Sequence, residues 1–122
     1  MNPTPFFKIL YVETNEDDGL LLETAISSPF VQITLAKTIT DALKLAKIEN
    51  FNLILLETRF PDGNGFELCR QIRKFFPQIP VVFYSGDAAE ADKKLGLESG
   101  AEVYLTKPYF DTLTTTLDHY IG

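Results

Sequence analysis

The pattern that most restricts this chain is a strict alternation, repeated five times, of a short apolar run with a longer segment of helical period. The runs are FKILYV (Phe7–Val12), FVQITLA (residues 30–36), NLILLE (52–57), IPVVFYS (79–85) and EVYLT (102–106). The segments that follow them are NEDDGLLLETAIS (15–27), TITDALKLAKIEN (38–50), GFELCRQIRKFF (65–76), AAEADKKLGLES (88–99) and FDTLTTTLDHYI (110–121). Strands joined through helices run parallel, with right-handed crossovers and helices on both faces of the sheet. The predicted fold is therefore α/β, a doubly wound five-stranded parallel sheet of order 2-1-3-4-5 with five helices.

Local signals agree with that layout. Asn15 stands where an N-cap is needed, ahead of Glu16, Asp17 and Asp18, three acids suited to the positive end of a helix dipole. Ile39, Ala42, Leu43 and Ala46 share one helical face, and Phe66, Cys69, Ile72 and Phe76 are the expected buried side of the third helix. NLILLE is continuously apolar, as a central parallel strand must be when both its faces are covered. Pro61, Gly63 and Gly65 make the next segment a turn-rich loop, and Gly100 closes the fourth helix.

Composition narrows the functional classes. The 122 residues suit one domain, taken as 1–122, without internal repeat or linker. A net charge of -6 argues against nucleic acid or an anionic membrane as the main partner. The single cysteine excludes an internal disulfide and suits a reducing compartment. No apolar run approaches the roughly 18 to 20 residues that span a bilayer, and the start MNPTPFFK lacks signal-peptide character. A cytoplasmic location is expected.

Ligands of doubly wound sheets bind beyond the carboxyl ends of the strands, where the strand order reverses. The residues that follow strands one, three, four and five are ETNEDD, ET, SGD and TKP. They bring Glu13, Glu57, Ser85 and Lys107 toward one place. Paired carboxylates suit a divalent metal, while a hydroxyl and an ammonium suit phosphate oxygens. Lys107 precedes Pro108, which makes that bond the candidate cis peptide.

With KILYVE, NLILLE, the Pro61…Asn64-Gly65 loop, PVVFYSG and GAEVYLTKP in this order, the chain resembles the receiver domain of two-component response regulators, a flavodoxin-like fold, over residues 7–121. The resemblance implies phosphorelay signalling rather than enzymatic turnover. It places Glu57 at the phosphoacceptor position, Ser85 and Lys107 on the phosphoryl group, and Glu13 with Glu57 and the backbone carbonyl of Arg59 on magnesium. Tyr104 falls at the position of an aromatic switch. Implied partners are a histidine kinase, a phosphotransfer protein or a downstream target, docked on the face of helix four, strand five and helix five with Tyr104, Tyr109, Phe110 and residues 112–116. A monomer or weak homodimer is expected.

Two positions depart from the family pattern. The acceptor is glutamate where the family has aspartate, and Thr14 stands where a metal-binding aspartate is usual. One additional methylene moves a carboxylate by about 1.5 Å, and an error of about 1 Å costs in-line transfer roughly a hundredfold. The Arg59 side chain is expected to pair with Glu13 or Glu57 and to weaken the pocket's hold on a cation. Glu57 is expected to bond Ser85 and Lys107, as a permanent structural acid. No cofactor is expected, and magnesium at most weakly. Among the remaining residues, Asp17 is a candidate at the pocket rim, Asp87 a solvated loop acid, Cys69 core packing and His119 an exposed histidine. The reading is a phosphorylation-independent docking module. Its rivals are a slow, magnesium-dependent phosphorelay receiver and, remotely, a flavin-like ligand module.

Overall fold

A computed structural model describes residues 7–26 and 28–122. The order of elements is β1 (Phe7–Val12), α1 (Glu16–Ala25), β2 (Val31–Ala36), α2 (Ile39–Ile48), β3 (Leu53–Leu56), β4 (Arg59–Phe60), β5 (Gly63–Asn64), α3 (Gly65–Phe75), β6 (Val81–Ser85), α4 (Glu90–Glu98), β7 (Val103–Thr106) and α5 (Phe110–Ile121). The main sheet is parallel in the order β2-β1-β3-β6-β7, which is the predicted 2-1-3-4-5 once the two-residue strands β4 and β5 are set apart. Those two form a small antiparallel hairpin inside the turn-rich loop, a detail that periodicity over so few residues does not reveal.

The sheet buries both faces, and side-chain alternation divides its core in two. Leu10, Val12, Ile54, Leu56, Val81 and Phe83 pack with Ala42, Leu68, Cys69 and Ile72 beneath α2 and α3. Ile9, Tyr11, Leu53, Leu55, Val82 and Tyr84 pack with Leu22, Leu113 and Leu117 beneath α1 and α5. Every residue of β3 is fully buried, which explains its unbroken apolar run.

Helix ends follow local chemistry. The Asn15 side chain accepts from the Asp17 amide and Thr38 from Asp41, so each satisfies an amide that the helix cannot. The expected end of the first helix at Ser27 lies outside the described residues. On α3 the buried set is Leu68, Cys69 and Ile72, while Phe66 is half-buried and Phe76 is the C-cap. The expected stripe was thus shifted by about one residue, because Leu68 and not Phe76 completes the face. Asn64 caps α3 by accepting from the Glu67 amide at 2.9 Å. Its replacement by alanine is expected to lower stability by about 1 kcal/mol in urea unfolding, with fraying confined to the first turn of α3. Gly100 follows α4 with φ at +115°, a conformation that a side chain disfavours. No helix among the described residues is long and apolar enough to cross a membrane.

Candidate functional site

β1, β3, β6 and β7 end side by side, and the loops after them enclose an open cavity of about 320 Å³. Glu13, Glu57, Ser85 and Lys107 all line it, with Thr14, Asp18, Arg59 and Asp87. The parallel register makes this convergence necessary, since Val12 pairs with Leu56, Leu56 with Phe83, and Ser85 with Thr106. Glu13 and Glu57 therefore follow their strands side by side, while β6 and β7 run about two residues further and carry Ser85 and Lys107 over the same edge.

At the centre is the Lys107 ammonium. It donates to Glu13 Oε1, to Asp18 Oδ2 at 2.9 Å, and lies 3.0 Å from Glu57 Oε2. Glu13 is 2% exposed, so its carboxylate is almost wholly removed from water. Burial, with Asp18 and Glu57 as neighbouring acids, pushes the Glu13 carboxyl above its ordinary range in spite of Lys107. For Lys107 burial works against the charge, but its bonds to Glu13, Asp18 and Glu57 outweigh this and hold the ammonium well above its usual pKa. Asp18 shows the same contest with the opposite sign: burial opposes its charge, and the bond to Lys107 holds its carboxyl low. One cation is shared by three acids, and burial makes the deepest of them, Glu13, reluctant to ionise.

Glu57 faces Lys107 with one oxygen and its own loop with the other. Oε1 accepts from the Thr58 amide at 2.7 Å. The expected bond from Glu57 to Ser85 is not made; Thr58, which the sequence reading left aside, lies between them. Thr58 Oγ1 is 2.6 Å from Asp87 Oδ2, 3.0 Å from Ser85 Oγ and 3.1 Å from Glu57 Oε1. A hydroxyl has one proton, and the short contact to a carboxylate takes it. Ser85 is then the donor to Thr58, while Ser85 Oγ accepts from the Asp87 amide at 3.0 Å. The hydrogen bonds close into a ring that begins and ends on Asp87.

Arg59 does not pair with Glu13 or Glu57. Its guanidinium grips Asp87 from Nε at 3.0 Å and Nη2 at 2.9 Å. The hairpin explains the difference, because Phe60 turns toward the core and Arg59 outward, leaving its side chain 84% exposed over the β6–α4 turn. Asp87 is consequently no free loop acid. Arg59 first, and then Thr58, hold its carboxyl below the usual aspartate range. Among the three first-turn acids it is Asp18, not Asp17, that enters the pocket; Asp17 is exposed. Asp18 stands three residues beyond the N-cap, the capping-box spacing that turns a side chain back over the helix start, and this was the available signal. Thr14 is exposed and donates its amide to Glu13 Oε2 at 2.8 Å.

Tyr104 is half-buried and points inward. Its hydroxyl donates to the Asp87 carbonyl at 2.6 Å, and its ring stacks on Phe83 with centroids 5.4 Å apart. The Lys107–Pro108 peptide is cis. Cys69 is buried, and His119 is exposed beside Tyr120.

Magnesium would have to compete with the chain's own cation for this donor set. Glu13 Oε1, Asp18 Oδ2 and Glu57 Oε2 all point at the ammonium that occupies the middle of the cluster. Glu13 Oε2 and Glu57 Oε1 are taken by amides, and Thr14 offers only a neutral hydroxyl. An octahedral ion would have to displace or share the Lys107 ammonium to gather these oxygens. Among the described residues no group of three acid, histidine or cysteine side chains is disposed to hold a metal.

A parallel 2-1-3-4-5 sheet with acid, hydroxyl and lysine at its carboxyl edge defines a receiver. The chain matches the family described as response regulator receiver domain over residues 9–118, and it belongs to that family, whose members are signalling modules of two-component systems. It is 35% identical over 102 residues to the alkaline phosphatase synthesis transcriptional regulatory protein PhoP of Bacillus subtilis (strain 168), covering 84% of this chain and 42% of that protein. It is 34% identical over 103 residues to the uncharacterized transcriptional regulatory protein YrkP of the same organism, covering 84% and 44%. The chain thus spans less than half the length of these relatives. Among solved structures, the non-phosphorylated HemR receiver domain from Leptospira biflexa superposes with a TM-score of 0.86 at 32% identity, covering 98% of this chain and 95% of that one. A two-component response regulator from Clostridium difficile superposes with a TM-score of 0.87 at 26% identity, covering 94% and 95%.

Proposed function

We propose that this receiver works without phosphorylation, as a docking module whose acceptor-position acid is a fixed part of the structure. The observation that carries the proposal is the Lys107 ammonium held at once by Glu13, Asp18 and Glu57. The oxygens a metal needs are bound to a cation of the chain itself, and Glu57 is longer by a methylene than the aspartate that the family uses. Output is then carried by protein contact. The face of α4, β7 and α5 is suited to it, because Leu95 and Leu97 of α4 and Tyr109 at the start of α5 are exposed large apolar side chains. Tyr104 takes part from beneath, by its inward ring. The partner class is a histidine kinase, a phosphotransfer protein or a downstream signalling target, and an output region of a longer protein has the same standing.

The test is amide NMR during addition of magnesium, followed by magnesium with beryllofluoride. No saturable shift at Glu13, Glu57, Ser85, Tyr104 or Lys107 is expected at millimolar magnesium, with or without the phosphoryl mimic. Saturable shifts that spread to β7 with the mimic would sink the proposal and establish instead a slow, magnesium-dependent phosphorelay receiver.

A further inference from the structure

The closed ring of hydrogen bonds on Asp87 has a consequence beyond the pocket. Each polar group of this residue is engaged. Its amide donates to Ser85, its carbonyl accepts from Tyr104, and its carboxylate accepts from Thr58 and, through both oxygens, from Arg59. The surrounding turn supplies little else. Gly86, Ala88 and Ala89 are exposed, and Ala89 begins α4 without a side-chain cap.

Tyr104 connects that turn to the helix behind it. Its ring lies so close to Gly96 in α4 that an added Cβ would stand 2.6 Å from Cδ2. Two points of α4 therefore depend on Asp87: the helix start through the chain itself, and its middle through Tyr104. We infer that Asp87, clamped by Arg59 and Thr58, is the positioning residue that fixes Tyr104 inward and sets the place of α4 on the docking face. The inference rests on the docking reading above and gives that reading its internal lock, a carboxylate of the chain doing what an added group would otherwise do.

The lock joins three separate stretches of the chain at the carboxyl edge of the sheet. Arg59 belongs to the hairpin after β3, Asp87 to the turn after β6, and Tyr104 to β7. No contact in the lock involves α1 or α5, so its release predicts changes confined to one side of the molecule.

The experiment compares Asp87→Asn, Arg59→Ala and Arg59→Lys with the unaltered chain, all without magnesium. Arg70→Ala serves as control, because it breaks another exposed arginine pair on α3, that with Glu67. The readouts are Tyr104 ring signals and amide hydrogen exchange along the chain. Asp87→Asn is expected to alter the Tyr104 ring shifts and to speed exchange in α4 by about tenfold or more, leaving α1 and α5 as they were. Arg59→Ala should reproduce part of this, Arg59→Lys should recover most of the original pattern, and adding Arg59→Ala to Asp87→Asn should change little more. Arg70→Ala should leave Tyr104 and α4 untouched.

Unaltered Tyr104 signals and α4 exchange in both Asp87→Asn and Arg59→Ala would overturn the assignment. Should Asp87→Asn fail to fold, the surface variants Arg59→Ala and Arg59→Lys decide alone. The two readings separate cleanly. Beryllofluoride binding together with a released α4 in Asp87→Asn keeps the lock and removes the phosphorylation-independent reading. No beryllofluoride binding and an unmoved α4 does the reverse.

Discussion

Replacing Lys107 with methionine is expected to lower stability by about 3 kcal/mol at neutral pH, the scale for removing one partner of a buried ion pair. For a domain of this size that corresponds to a fall in melting temperature of about 10 °C. The lysine is the only cation within reach of Glu13, Asp18 and Glu57 among the described residues, and Glu13 has almost no access to water to compensate. The pH dependence gives the sign of the effect. Burial already raises the folded pKa of Glu13 above its unfolded value, and loss of the Lys107 cation, which opposes that shift, raises it further. Such a group costs stability above the unfolded pKa, and the cost is relieved as pH falls through the raised folded value. The deficit of the methionine variant relative to the unaltered chain should therefore narrow between pH 7 and about pH 5. Urea unfolding at both pH values measures it. A deficit that is constant with pH would mean the carboxylates are solvated and the cluster is not a buried one.

Gly65→Ala is expected to cost about 3 kcal/mol, although alanine is the better helix former by about 1 kcal/mol. The reason is local. A Cβ on Gly65 would stand 2.1 Å from the carbonyl oxygen of Glu57, a backbone atom, and the Cβ itself is fixed to the helix backbone. A flexible side chain turns away from such a contact, whereas α3 must shift as a body or the strand end must bend. Gly65 also donates its amide to the Thr58 carbonyl at 2.8 Å, so a shift of α3 pulls on the loop that carries Glu57, Thr58 and Arg59. The variant should show a lower urea midpoint and displaced amide signals at residues 57–59. Gly86→Ala is the matching control. Nothing lies within 4 Å of its added Cβ, and its effect should stay within about 0.5 kcal/mol.

Much of the fold was legible because its signals are periodic and repeated. Buried parallel strands must be continuously apolar, and helices that cover a sheet must show an apolar stripe, so five alternations leave few arrangements. The site was legible to the level of position, since parallel register brings the ends of neighbouring strands together whatever the residues there. Glu13, Glu57, Ser85 and Lys107 were therefore found at one cavity. Their bonds were not legible. Arg59 chose Asp87, Thr58 came between Glu57 and Ser85, and Asp18 took the place considered for Asp17. Each outcome turns on which way a loop side chain points, and a two-residue hairpin or one helical position reverses it without any periodic trace.

The sequence by itself determined the order of the strands, the burial of β3, the convergence of acid, hydroxyl and lysine, and the glutamate that follows β3. Those are consequences of pattern and covalent identity. Only the tertiary structure decided that one ammonium serves three carboxylates and that Asp87 joins the hairpin after β3 to Tyr104. Partner choice among charges a few ångströms apart depends on the direction of each side chain and on how much water remains around it. Those quantities exist only once the chain has folded.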